Sequence, residues 1–318
     1  MNSKKSKVAG LIILILVIVS VVVYSIINNS KPKEINATGL IGSEKLGLFE
    51  DQEFKNTVLK KYGLTYDVRK SGSYDQVKLD KDELANYDFL FPSNDLALQV
   101  FKNRGNKSER SDITFNTPIV LYTRKSIADA LVKAGVASVK DGVYNVDMKN
   151  MAQLIVNETS WEELGVEELY GNVLIDTTDP NKSNSGNIFL GLLANSLNDG
   201  KVVDESSVHE IAPKVKEVYN RLGYMQGNSG DLFNQFLRQG MGSYPIIAGY
   251  ENQILEFSKE NKDVFEQVKD EIVIMYPTPT VWSSHVFISL NEKGNTGLDS
   301  LLDNDVQNIA WNPNYVKS

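Results

Sequence analysis

GNVLIDTTDPNKSNSGNIFLGLL, residues 171–193, decides the fold. Gly171–Asp176 is a short apolar segment that predicts a buried strand, and Thr177–Asn184 is a polar loop. From about Ser185 the residues Ile188, Phe189, Leu192 and Leu193 return at helical spacing. Strand, loop and helix in that order form the unit of an α/β fold. The same alternation recurs towards the N-terminus. Ala37–Ile41 predicts a strand ending in Gly42-Ser43, and Phe49–Lys61 predicts a helix stopped by Gly63. Leu64–Arg69 predicts a strand ending in Ser71-Gly72-Ser73. Tyr87–Phe91 predicts one ending in Pro92-Ser93-Asn94, followed by a helix over Asp95–Lys102. These alternations predict a largely parallel sheet, and ligands gather at the carboxyl ends of such strands.

Two long apolar stretches carry prolines: Ile113–Thr123, with Pro118, and Glu271–Leu290, with Pro277 and Pro279. Proline is excluded from a central ladder, so each reads as two strands or a strand and a bend, as in a chain crossing between two lobes. Between them lies a second set: helices over Ser126–Ala134 and Met148–Asn157, a helix near Ala212–Leu222, one over Gly230–Gln239, and a strand over Ser243–Ala248. The expected division is residues 37–117 with 278–318 in a first lobe and residues 118–277 in a second.

The N-terminus predicts an anchor. Lys4, Lys5 and Lys7 precede Val8–Ile27, an uncharged run of twenty residues. As a helix it spans roughly 30 Å, the thickness of a bilayer core. The lysines favour an inside N-terminus, which puts the remainder outside the cell membrane in a single-pass topology. The competing reading is a cleaved signal peptide, whose apolar region is normally shorter and ends in small residues. Residues 1–28 thus read as a cytoplasmic stub and transmembrane helix, and residues 29–36 as a tether. The chain has no cysteine, which removes lipid attachment through cysteine, disulfides and thiol chemistry. A net charge of −8 with scattered lysines argues against nucleic acid as a partner.

Thr159-Ser160-Trp161-Glu162-Glu163-Leu164, Leu169-Tyr170-Gly171-Asn172, Asp179-Pro180 and Ser183-Asn184-Ser185-Gly186 follow one another in an order that resembles the extracellular solute-binding proteins of ABC transporters. The resemblance is strongest over residues 159–195 and is nearest to the two-crossing class that includes molybdate, phosphate and iron binders. It implies a two-lobed, periplasmic-binding-protein-like fold of type II, here behind one N-terminal transmembrane helix. It also implies a small ligand between the lobes and a membrane permease as partner. The absence of the usual acylated cysteine leaves the apparent transmembrane helix to replace it.

The candidate ligand groups follow the strand ends. The helix start at Ser183, Asn184, Ser185 and Gly186 offers free N–H groups and hydroxyls, a combination that suits an anion and equally makes an ordinary cap. Ser43, Ser71, Gly72, Ser73 and Ser93 are the first-lobe candidates, with turn chemistry as the alternative. Tyr250 and Tyr276 complete the set. With Glu251 they keep a metal alternative open, because ferric-binding relatives use tyrosines and carboxylates. The Trp161–Glu168 run reads as a solvated helix face. No catalytic motif occurs, and the only two histidines, His209 and His285, are far apart in sequence. The expectation is therefore a non-enzymatic protein without cofactor or metal. It captures a small solute, with an oxyanion favoured, for ABC-type uptake; the alternative is a surface sensor or protein-interaction module on the same fold.

Overall fold

Alternating burial makes Ile35–Ile41 a strand, β1, with Ala37 and Ile41 fully covered. In the computed structural model, which describes residues 13–22 and 34–310, β1 lies between two parallel neighbours, β2 (Leu64–Lys70) and β3 (Phe89–Phe91). Beyond β3 comes β9 (Trp282–Ser289), antiparallel, and then β4 (Arg110–Arg124), also antiparallel. β4 belongs to two sheets. Residues 110–118 ladder with β9, and residues 119–124 ladder with β7 (Ile246–Tyr250) on one edge and β8 (Ile272–Thr278) on the other. β8 continues in parallel to β6 (Val143–Asp147), which pairs with β5 (Ala137–Lys140).

The apolar clusters segregate with the sheets. Phe49, Phe54, Phe89, Phe91 and Phe287 pack in the first lobe, where Phe89 and Phe287 stack with centroids 4.6 Å apart. Trp161, Phe189, Ile246 and Met275 pack together in the second. No apolar cluster among the described residues draws on both sheets, so what joins them is β4, the return of the chain from β8 to β9 and the polar contacts described below.

Several expectations are corrected. The sheets are mixed rather than largely parallel, because the strands that cross between lobes must run out and back and so pair antiparallel. Pro118 does not split its stretch. It sits where β4 changes ladder partners, and there a missing N–H disturbs the ladder least. Glu271–Leu290 does divide, into β8 and β9. Gly171–Asp176 is not a ladder strand. Val173 and Ile175 are buried, yet only Asp176 bridges β7, accepting from the Ala248 N–H at 2.9 Å and donating to Ile246 O at 2.8 Å. The Trp161–Glu168 run is a series of turns, not a helix, and Trp161 is 1% exposed. The Phe49–Lys61 helix is two pieces, Leu46–Glu50 and Gln52–Tyr62, because Asp51 leaves the helix to cap Phe54 N–H at 2.8 Å. The Ser243–Ala248 strand is Ile246–Tyr250, and the next helix begins at Asn252.

Residues 13–22 are helical with exposed apolar side chains. The rest of the Val8–Ile27 run, most of the tether and residues 311–318 lie outside the described residues. Among the described residues no helix is long and apolar enough to cross a membrane.

Candidate functional site

The carboxyl ends of β1 and β3 turn towards the second lobe, and the chain there reverses sharply. Gly42 closes β1 and is followed by one 3-10 turn, Ser43–Lys45. Pro92-Ser93-Asn94 closes β3 and starts the helix Asp95–Asn103, where Asn94 Oδ1 accepts from Ala97 N–H at 2.6 Å. Opposite them, Ser183 precedes the helix Asn184–Leu197. Gly186 is required in its first turn, since a Cβ there would collide with the backbone carbonyl of Thr178.

Asn184 is the residue that joins the two sides. Its Nδ2 donates to Ser93 O at 3.0 Å, to Ser283 Oγ at 2.9 Å and to Tyr250 OH at 2.8 Å. Its Oδ1 accepts from Asn94 Nδ2, which also donates to Tyr74 OH at 3.1 Å. Tyr74 OH in turn donates to Asn187 Oδ1 across the cleft at 3.0 Å. Asn184, Ser93, Tyr250 and Ser283 are all nearly inaccessible to solvent.

Ser93 Oγ leads to a buried ion pair. It donates to the Glu44 carboxylate and accepts from Lys45 Nζ at 2.9 Å, while Lys45 also donates to Glu44. Glu44 and Lys45 are 6% and 5% exposed. Burial alone would raise the Glu44 carboxyl, but the Lys45 ammonium, His285 and the hydrogen bonds from Lys45 and Ser93 together outweigh it and hold the group at about 2. Burial lowers the Lys45 ammonium, and Glu44 pulls it back. His285 Nδ1 stands 3.5 Å from the same carboxylate oxygen without a hydrogen-bond partner. Burial and Lys45 push this imidazole down to about 3, so it is neutral at physiological pH and the contact is not an ion pair.

The candidates from the sequence sort into groups. Ser73 accepts from Ser93 N–H at 2.9 Å and so, with Ser93, Asn184 and Tyr250, belongs to the junction. Ser43 Oγ accepts from Gly230 N–H of the second lobe at 3.2 Å. Gly72 lies against Lys182 O, where a Cβ would not fit. Ser71 donates its N–H to Ile41 O at 2.9 Å and stays within the first lobe. Ser183 and Ser185 turn to each other at 3.0 Å, and Ser185 to Thr178 Oγ1 at 2.8 Å, all within the second lobe. Tyr276 donates to Glu251 outside the junction. Glu44, Lys45, Asn94 and Ser283 were missed. The only sequence signal for the first two is a charged dipeptide placed directly after a buried strand end.

Beside the junction lies a cavity of about 790 Å³ between residues 44–53 and the helix Asn252–Glu260, with β4 and β9 behind it. Its wall is acidic, including Glu50, Glu53, Glu251, Glu256 and Glu260. Burial, then Glu260, raises Glu256 to about 8. Among the described residues no group of His, Asp or Glu is arranged to hold a metal ion.

One strand, β4, running through two mixed sheets, a second crossing where the chain returns from β8 to β9, and strand ends facing one another across a polar cleft define the periplasmic-binding-protein-like architecture of type II. Solved structures agree. The chain superposes on the sulfate-binding protein SubI of Mycobacterium tuberculosis with a TM-score of 0.56 at 12% identity, covering 88% of this chain and 85% of that one. AfuA of Actinobacillus pleuropneumoniae, a periplasmic binding protein with fructose-6-phosphate bound, gives 0.56 at 12% identity over 90% and 84%. A phosphate-bound putative phosphate ABC transporter substrate-binding protein of Clostridium perfringens gives 0.55 at 15% identity over 87% and 97%. No family model and no curated protein matches the chain. The chain therefore has the fold of the periplasmic solute-binding proteins of ABC transporters.

Proposed function

We propose that the chain is a membrane-anchored, extracellular solute-binding protein that captures a small oxyanion between its lobes and hands it to an ABC-type permease. The observation that carries this reading is the interlobe junction: Lys45, Ser93 and Ser283 from the first-lobe side and Asn184 and Tyr250 from the second present N–H and O–H groups to one buried place. Such donors, in a water-poor site, suit an oxyanion. The mechanism is binding and closure rather than reaction: a solute that contacts both lobes favours the closed state by the contacts it makes only there. The Val8–Ile27 run supports anchoring.

Thermal-shift measurements on the chain with phosphate, sulfate and molybdate, against chloride at equal ionic strength, test the capture. A solute at 100 times its Kd stabilises the folded form by about 2.7 kcal/mol, a rise in melting temperature that is easily read. No rise with any of the three refutes the oxyanion reading. Protease added to intact protoplasts tests the anchor. It should digest the domain and leave a small membrane-bound stub, whereas mature protein starting near residue 30 in the medium refutes the anchor.

A further inference from the structure

The junction that offers an oxyanion its donors already holds a carboxylate. Glu44 folds back over Gly42, where a Cβ would collide with its carboxylate oxygens. One of those oxygens receives Lys45 Nζ and Ser93 Oγ and faces His285 Nδ1 at 3.5 Å. The second lobe fixes the same residue through its backbone, since Asn252 Nδ2 donates to Glu44 O at 2.7 Å. We infer that the Glu44 carboxylate is the junction's resident anion and that a solute oxyanion binds by displacing it from Lys45 and Ser93. This deepens the reading proposed above and rests on it.

Three features support the inference. A carboxylate presents the same chemistry as one edge of a sulfate or phosphate: two negatively charged oxygens that accept from an ammonium and a hydroxyl. Lys45 is the one cation at the junction among the described residues, and it cannot neutralise Glu44 and a second anion together; two anions against one buried ammonium leave a charge uncompensated at low dielectric. Glu44 is also joined to Lys45 by a single peptide bond, so it competes at the high effective concentration of a tethered group, which any free solute must overcome. Glu44 thereby sets how strong an anion must be to enter, and it lets the lobes close when none is present.

Calorimetric titration of the full chain in detergent with phosphate, sulfate and molybdate decides the point, using wild type, Glu44→Ala, Glu44→Gln and the double variant Glu44→Gln/Lys45→Met. Removing the competitor while keeping the ammonium should tighten at least one of the three anions by about 10-fold or more in Glu44→Ala, since one hydrogen bond to a charged group corresponds to about that factor. Glu44→Gln keeps the shape and guards against a folding failure of the alanine variant; its affinity should rise too. The double variant carries neither charge and should gain nothing. Equal affinity in wild type and in folded Glu44 variants overturns the role of Glu44 and leaves the oxyanion reading standing. The same gain in the double variant also overturns it, because the lysine would then play no part. Absence of binding in all four proteins overturns the oxyanion site together with this inference.

Discussion

Asn184→Ala is the sharpest perturbation of the junction. The side chain has two Nδ2 hydrogens and three acceptors within 3.0 Å, from Ser93, Ser283 and Tyr250, and it accepts from Asn94. Truncation leaves some of these groups provided for. Ser93 O still accepts from Ser283, and Asn94 still donates to Tyr74. Tyr250 OH loses a donor in a place that is 1% exposed, and one further polar group loses a partner. An orphaned buried polar group costs about 1–3 kcal/mol, so the variant should lose about 2–4 kcal/mol. At about 2 °C per kcal/mol for a chain of this size, the melting temperature should fall by about 4–8 °C. The lost bonds to Ser93, Asn94 and Ser283 run from the second lobe to the first, so the closed form is weakened more than either lobe. Calorimetry gives the first quantity, and small-angle scattering gives the second as an increased radius of gyration. Ser185→Ala is the control: its bonds to Thr178 and Ser183 stay inside one lobe, so it should lower the melting temperature without opening the cleft. A variant Asn184→Ala that melts within 1 °C of wild type (below roughly 0.5 kcal/mol at that conversion) with an unchanged radius refutes the idea that this residue holds the lobes together.

Gly186→Ala should destabilise by about 1–3 kcal/mol, read as a lower urea midpoint with unchanged slope, because the added Cβ meets backbone at Thr178 that cannot swing away. Stability should also peak near mildly acidic pH. Glu256 and Asp176 are raised by burial from 4.5 to about 8 and from 3.8 to about 7, so their contribution is whole below the lower values and is lost as pH rises through the higher ones. His285 and Glu44 are depressed from 6.5 to about 3 and from 4.5 to about 2, so theirs is present above the ordinary values and is lost as pH falls. Each group contributes about 1.4 kcal/mol per pH unit inside its window, and the four together place the maximum near pH 5. Denaturation at pH 5, 6.5 and 8 should show declining stability, with a shallower decline in Glu256→Gln; a rise from pH 5 to 8 contradicts these environments.

The architecture was legible because it depends on patterns that a single chain displays. The strand ends at Gly42-Ser43, Ser71-Gly72-Ser73 and Pro92-Ser93-Asn94 are marked by residues that turns require, and the prolines mark the crossings. The reading failed where tertiary contacts override local pattern. Gly171–Asp176 looks like a strand because its apolar residues are buried, yet its burial comes from packing and its backbone bridges β7 only at Asp176. At the junction, the candidates Ser73, Ser93, Asn184 and Tyr250 come together, but the sequence could not rank Asn184 above the serines beside it, because its bridging depends on the distance between lobes. Glu44 and Lys45 left only the faint signal of a charged dipeptide after a strand end, for a physical reason. Charged residues are almost never buried unless paired, and this pair exists only because one 3-10 turn folds both side chains inward.

The closed junction also bears on how tightly any solute can be held. Four of the donors named there already have protein acceptors: Lys45 and Ser93 at Glu44, Ser283 at Ser93 O, and Asn184 at Ser93, Ser283 and Tyr250. Binding is then an exchange of partners rather than the filling of an empty shell, and the affinity is the difference between the two sets of bonds. A neutral hydrogen bond is worth about 0.5–1.5 kcal/mol and one to a charged group about 1.5–3, so each neutral partner exchanged for an anionic oxygen gains about 1 kcal/mol. Exchange of Glu44 for another anion gains almost nothing, charge for charge. Under the proposed reading the gain must therefore come from the neutral groups, Asn184, Tyr250 and Ser283, and a solute large enough to reach all three from Lys45 is favoured over one that replaces the carboxylate alone.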